Sequence, residues 1–322
     1  MRPLLPGDGR PRRVRAHGRG GRSHPPRRPQ AGGNPGVSFP EGFPQTGRRV
    51  LAQAHDNHPV GQGPRDHLQG RPNRPIRPPG ENILTFKILR FDAQTDEQPH
   101  FQAYRHEPKP YETVLEALKD IRDQQDPSLS FRYSCREAVC GSCSVVINGR
   151  IALACRTQVE DLGSDEVVIE PLPNLEIQKD LIVDLNPFWE AYRLVEPFLQ
   201  APGPVPEKGH RVAERDMEKV FQYVTCILCA CCYSACPVAT RDGRYVGPAA
   251  LAKLTRFALD PRDDRPFSAL ERVDGPDGVW GCDTVFRCND VCPKDVRPAD
   301  GIAVLRRKII AGKTKRLFRR KP

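Results

Sequence analysis

The sequence predicts an α+β protein with two folded halves, a β-rich one over residues 81–180 and an α-rich one over residues 181–322, preceded by a disordered arm over residues 1–80. Three observations carry this reading. Residues 1–80 hold 15 Pro and 14 Gly and show no apolar periodicity, so they cannot bury enough surface to offset the entropy of ordering. From Asn82 short alternating or apolar runs of strand character begin abruptly. Near Leu181 those runs stop and helical spacing takes over.

The arm also accounts for the charge. It carries 15 Arg, no Lys and 4 acidic residues, a net of +11, which leaves −1 on residues 81–322 out of the total of +10. The region that bears the motifs is therefore close to neutral and offers no basic stripe for nucleic acid. The arm has no apolar h-region, and its Pro and Gly would break a transit helix. We expect that much of this arm is not translated, the true start lying somewhere before Glu81; the alternative is an arginine-rich arm for anionic lipid or RNA. No run of about twenty apolar residues could span a bilayer.

In the first half, ILTFKILRF and HFQAYRHEP read as strands. TVLEALKDIRDQQD reads as a helix with Val114, Leu115, Leu118 and Ile121 on one face and a capping box from Thr113 to Glu116. SVVINGRIALAC is a hairpin turning at Asn148-Gly149, and VVIEPLP a closing strand. In the second half, ERDMEKVFQYV, GPAALAKLTRFALD and PADGIAVLRRKII read as helices, and QAPGPVPEKG as a surface connection.

The 12 cysteines fall in tight clusters. Thiols two residues apart pair poorly with each other but suit a shared metal centre in a reducing compartment. CREAVCGSC gives Cys135-x4-Cys140-x2-Cys143, with Cys155 after a short return. This is plant-type 2Fe-2S spacing, and Gly141 lets backbone approach the sulfides. Zinc is the alternative, which prefers paired C-x2-C ligands. Further on, Cys226, Cys229, Cys232 and Cys236 precede Pro237 in the spacing of two-cluster ferredoxins, and WGCDTVFRCNDVCP repeats it with Val285 in place of the second cysteine. In such pairs the cysteine before proline ligates the other cluster. Cys226, Cys229, Cys232 and Cys292 then hold a 4Fe-4S cluster. Cys236, Cys282 and Cys288 hold a centre whose fourth corner is Val285, expected to be 3Fe-4S; a four-iron cluster with water on the open iron is the alternative. Cys231 remains as a packed free thiol. With no flavin fingerprint or haem motif, donor and acceptor must both be partners.

The stretches FRYSCREAVCGSC, INGRIALAC, LIVDLNPF, CILCACCYSACP, YVGPAALAKLTRFALDPRD and GCDTVFRCNDVCPK, in this order, resemble the iron-sulfur subunit of succinate dehydrogenase and fumarate reductase, respiratory complex II, over residues 82 to about 312. The resemblance implies a β-grasp 2Fe-2S ferredoxin domain followed by an all-α ferredoxin-like domain. It implies electrons arriving from FAD in a flavoprotein subunit and leaving to quinone beside a membrane-anchor cytochrome b. The chain would lie peripherally on the cytoplasmic face of a bacterial inner membrane, with Pro237 and Val285 lining the quinone pocket. Arg241 and Asp283 stand where many succinate-quinone reductases have tryptophan and histidine. The terminal KTKRLFRRKP would sit near anionic lipid or an anchor loop. Fumarate reduction is the same chemistry run backwards. An adapter for a soluble fumarate or heterodisulfide reductase is a further alternative, although the CCG motifs such proteins tend to carry do not occur here.

Overall fold

Five strands build the sheet of the first half. β1 (Leu84–Arg90) and β2 (His100–His106) pair antiparallel from Leu84↔His106 to Arg90↔His100. α1 (Val114–Gln124) follows, opened by the predicted capping box: Glu116 N donates to Thr113 Oγ1 at 3.3 Å and Thr113 N to Glu116 Oε2 at 2.8 Å. β3 (Ser144–Ile147) and β4 (Arg150–Leu153) form the second hairpin. Asn148 (φ 46°) and Gly149 (φ 75°) supply the two positive φ angles its two-residue turn requires. β5 (Glu166–Glu170) runs parallel to β1 and antiparallel to β3, which gives the order β2-β1-β5-β3-β4. The apolar face of α1 closes the core against Phe86, Ile88, Val145 and Ile169. This mixed sheet with a helix across it is the β-grasp arrangement expected above.

The computed structural model describes residues 83–319 except Pro202, Pro204 and Val205, and these lie within one compact unit. The expectation of disorder for residues 1–80 and the readings of that arm lie outside the described residues.

Arg90 ends β1 inside the protein, 8% exposed. Its Nε donates to Asp180 Oδ1 at 2.9 Å and its Nη2 to Ser128 Oγ at 2.8 Å, while Nη1 reaches Tyr104 and Asp126. Ser130 N also donates to Asp180 Oδ2 at 2.8 Å. Burial alone would raise the Asp126 carboxyl, but hydrogen bonds from Ser128, Tyr104 and Arg90 outweigh it and hold it well below the usual carboxylate range. Arg90→Met leaves Asp180 buried without its cation and is expected to cost about 3–5 kcal/mol, read as a lower urea midpoint. A depressed carboxyl contributes stability fully above its unfolded value, about pH 4, and loses it as pH falls. The wild-type advantage over Arg90→Met therefore shrinks below that pH.

β6 (Ile177–Lys179) and β7 (Ile182–Val183) make a small separate ladder, so strand pairing continues just past Leu181. Helices follow: α2 (Asn186–Leu194), α3 (Glu214–Val224), α4 (Cys231–Ser234), α5 (Pro237–Asp242), α6 (Pro248–Leu259), α7 (Phe267–Glu271), α8 (Arg287–Asp290) and α9 (Pro298–Arg319). α6 is the central element. Its small residues Ala249, Ala250 and Ala252 are all buried, which lets neighbouring backbones come close. Thr255 Oγ1, within it, donates to Gly301 O of α9 at 3.0 Å.

Candidate metal centres

The loop from Cys135 to Cys143 folds back onto its own sulfurs. The amides of Glu137, Val139 and Cys140 donate to Cys135 Sγ at 3.4, 3.3 and 3.2 Å. That of Ala138 donates to Cys155 Sγ at 3.3 Å and that of Cys155 to Cys143 Sγ at 3.5 Å. Positive φ at Arg136 (61°), Ala138 (54°) and Gly141 (72°) turns the backbone this way. The short return to Cys155 also has a cause: the β3–β4 hairpin fills the interval, and Ser144↔Leu153 pairing brings its two ends, and so Cys143 and Cys155, side by side. Burial would raise Cys140, but hydrogen bonds from Ser142 and Cys135 prevail and bring it down to about 6. Burial pushes Cys143 up to about 12.

The helical half contains two loops of like conformation. In the first, Cys226 follows α3, and positive φ at Leu228 (56°) and Ala230 (62°) flanks Cys229 before α4 begins. In the second, Cys282 follows a 3₁₀ turn, and positive φ at Thr284 (58°) and Phe286 (60°) flanks Val285 before α8 begins. Val285 thus occupies the place that Cys229 holds in a backbone of the same shape. One cavity is lined by Cys226, Cys229, Cys232 and Cys292, the last from the far run. A second is lined by Cys236, Cys282 and Cys288 together with Val285 and Pro237. Val285 is half exposed, at 51%. Burial pushes Cys288 up to about 12 and Cys292 to about 11. Such thiols become good ligands by giving their protons up to a bound metal. Thiolate-rich sets of this kind suit iron-sulfur clusters.

Several neighbours escaped the sequence reading. Lys253 Nζ lies 3.3 Å from Cys226 O, a half-buried cation that favours added negative charge in the first cavity. Tyr245 lines the second, and burial, then the charges of Cys282 and Cys236, push its hydroxyl far up, so it stays neutral. Arg241 and Asp283, two separate departures in the sequence, form one ion pair at 3.0 Å. Each was visible as a residue, but their pairing needs the fold to close a gap of 42 positions. Cys231 is fully buried and donates to Ser144 Oγ at 3.4 Å. Its hydrogen bond to Cys229 and its burial hold its thiol well up. Apart from the cysteines, His106, Glu112 and Asp120 also converge, but His106 already bonds Glu112 at 2.8 Å and Lys109 supplies Asp120 with its cation.

The two halves meet at their centres. Gly141, in the first cysteine loop, lies so near the second half that a Cβ there would fall 2.7 Å from Cys229 Cβ. Ser144 Oγ donates to Gly141 O at 2.9 Å and receives Cys231, and Arg156 donates to Pro293 O.

A sulfur-wrapping loop on a β-grasp sheet, packed against a helical unit with two cysteine-lined cavities, defines an iron-sulfur electron-transfer protein. The family model for a 2Fe-2S iron-sulfur cluster binding domain matches residues 85–190, and that for a 4Fe-4S dicluster domain matches residues 222–296. A fumarate reductase iron-sulfur subunit of Haemophilus influenzae is 37% identical over 235 residues, covering 68% of this chain and 90% of its own. A succinate dehydrogenase iron-sulfur subunit of Paracoccus denitrificans is 37% identical over 231 residues, covering 71% and 89%. The chain belongs to the family of succinate dehydrogenase and fumarate reductase iron-sulfur subunits. It shares its fold with a chain of the Mycobacterium smegmatis Sdh1 complex, at TM-score 0.66 and 24% identity over 72% of this chain and 97% of that one.

Proposed function

We propose that this chain is the electron-transfer subunit of a succinate:quinone oxidoreductase, taking electrons from the FAD of a flavoprotein subunit and delivering them to quinone beside a membrane-anchor cytochrome b. The observation that carries it is the sorting of the thiols: four converge in the β-grasp loop, four line one cavity and three, with Val285, line the other. In this reading Cys135, Cys140, Cys143 and Cys155 hold 2Fe-2S. Cys226, Cys229, Cys232 and Cys292 hold 4Fe-4S, and Cys236, Cys282 and Cys288 hold 3Fe-4S. Bound there, the three clusters would supply one-electron steps between a two-electron donor and a two-electron acceptor. The chain's residues set the order: Gly141 puts the first loop against Cys229, and the crossover of Cys236 and Cys292 ties the second centre to the third. Pro237, Val285 and the Arg241–Asp283 pair then form the quinone side of the third centre. Relatives of both names match at equal identity, and the same ligands serve a quinol:fumarate reductase.

Among the described residues no helix is long and apolar enough to cross a membrane, which accords with a peripheral subunit held by an anchor. EPR of anaerobically purified protein tests the ligand assignment. Oxidised 2Fe-2S and 4Fe-4S clusters are silent whereas 3Fe-4S is not, so the oxidised sample should give one isotropic signal near one spin per chain, and reduction two more. A silent oxidised sample would remove Val285 as the missing ligand.

A further inference from the structure

α9 has two faces of different chemistry. Its inner face, with Ile302, Leu305 and Ile309, is buried in the core of the helical half, and Gly312 there lies so close to α7 that a Cβ would meet the Phe267 ring at 2.0 Å. Arg316 and Lys313 pair with Glu271 and Asp274 along this edge. The opposite face carries Ile310, Leu317 and Phe318, exposed by 54, 67 and 66%. Residues i, i+7 and i+8 share one side of a helix, so these three form a stripe. Arg307, Lys308 and Lys315 are exposed on and beside it, and among the described residues no ion pair reaches them.

The charge is as uneven as the exposure. Residues 301–322 contain nine Lys or Arg and no Asp or Glu, although residues 81–322 as a whole sum to −1. Residues 81–300 therefore sum to −10, and the positive charge of this region is concentrated at one end. That end is continuous with the third centre. Arg306, one turn before Ile310, donates to Cys282 O at 2.7 Å and Val279 O at 2.8 Å, and its guanidinium lies 5.6 Å from the Trp280 ring centre. Trp280, Val285 and Phe286 are themselves 43, 51 and 46% exposed.

From this arrangement we propose that the outer face of α9 is a lipid-binding surface of the chain itself, laying Ile310, Leu317 and Phe318 into the headgroup boundary of an anionic bilayer while the lysines and arginines reach lipid phosphates. An apolar stripe with basic residues along its borders is the pattern of an interfacial helix. Anionic lipid supplies the missing counter-charge without demanding a shaped partner. The inference goes beyond the anchor-mediated attachment proposed above and does not depend on the quinone assignment, since it rests on charge and exposure alone.

Co-sedimentation of the full-length, cluster-loaded chain with protein-free vesicles, of phosphatidylcholine with or without phosphatidylglycerol, tests it. Binding to anionic vesicles is expected to exceed binding to neutral ones by about tenfold or more and to weaken as salt is raised. The Ile310→Ser, Leu317→Ser, Phe318→Ser variant and the separate Arg307→Glu, Lys315→Glu variant should each lower it by about tenfold, with visible and EPR spectra unchanged. These positions are exposed, so both variants should fold. Three outcomes overturn the proposal: no preference for anionic vesicles; binding that both variants leave intact, which assigns it to the arginine-rich arm; or binding only to membranes containing the anchor protein, which makes the face a protein interface. The EPR test of the third centre is independent of all three.

Discussion

Val285→Cys is expected to add the absent fourth ligand and turn the third centre into a four-iron cluster. The backbone around Val285 has the same run of positive φ angles as that around Cys229, so a cysteine there would present its sulfur as Cys229 does. The residue is half exposed, and losing its two methyl groups removes little buried surface, so stability should change by less than about 1 kcal/mol. The expected result is loss of the isotropic oxidised EPR signal, a gain of about one iron per chain, and a new signal on reduction. The reciprocal change, Cys229→Val, should leave the other cavity with three thiolates and create a second oxidised signal. An oxidised spectrum and iron content unchanged by Val285→Cys would mean that position 285 is not the open corner of the third centre.

Much of this was legible because cluster-binding loops are local. Cysteine spacing, the Pro after Cys236 and the single Val285 substitution are sequence facts. The φ pattern they impose repeats in both loops because two-residue spacings leave little choice of backbone. The strand runs, the Asn148-Gly149 turn and the Thr113–Glu116 cap were legible for the same reason: each is decided within a few residues. What was not legible depends on distant contacts. α2 carries aromatics without clear periodicity and finds its place only because Phe188 packs on Tyr233. α9 continues well past Ile310 because Gly312 fits against Phe267 and Arg316 reaches Glu271. Arg90 sits in a strand that reads as ordinary, yet its partners come from α1's end and from the β6–β7 turn. Lys253 beside Cys226 could have been found only by knowing that α6 passes the first cavity.

Gly141→Ala is expected to be strongly damaging, because two costs fall on one atom. At φ +72° an L-residue with a Cβ is strained by about 1–2 kcal/mol. The added methyl would also sit 2.7 Å from Cys229 Cβ and 2.8 Å from Cys229 Cα. Backbone and ligand-bearing atoms cannot swing aside as a long side chain would, so overpacking adds about 1–3 kcal/mol. Relief requires the first cysteine loop to retreat from Cys229, which lengthens the gap between the first and second centres. The variant should therefore show a Tm lowered by several degrees, and slower reoxidation of the reduced 2Fe-2S signal by the rest of the chain after rapid mixing. Gly141→Asn separates the causes. Asparagine adopts positive φ more readily than alanine but brings the same Cβ, so it should restore part of the stability and none of the transfer rate. If Asn restores both, the glycine is needed for its backbone alone, and the close approach to Cys229 is not what sets the distance between the two centres.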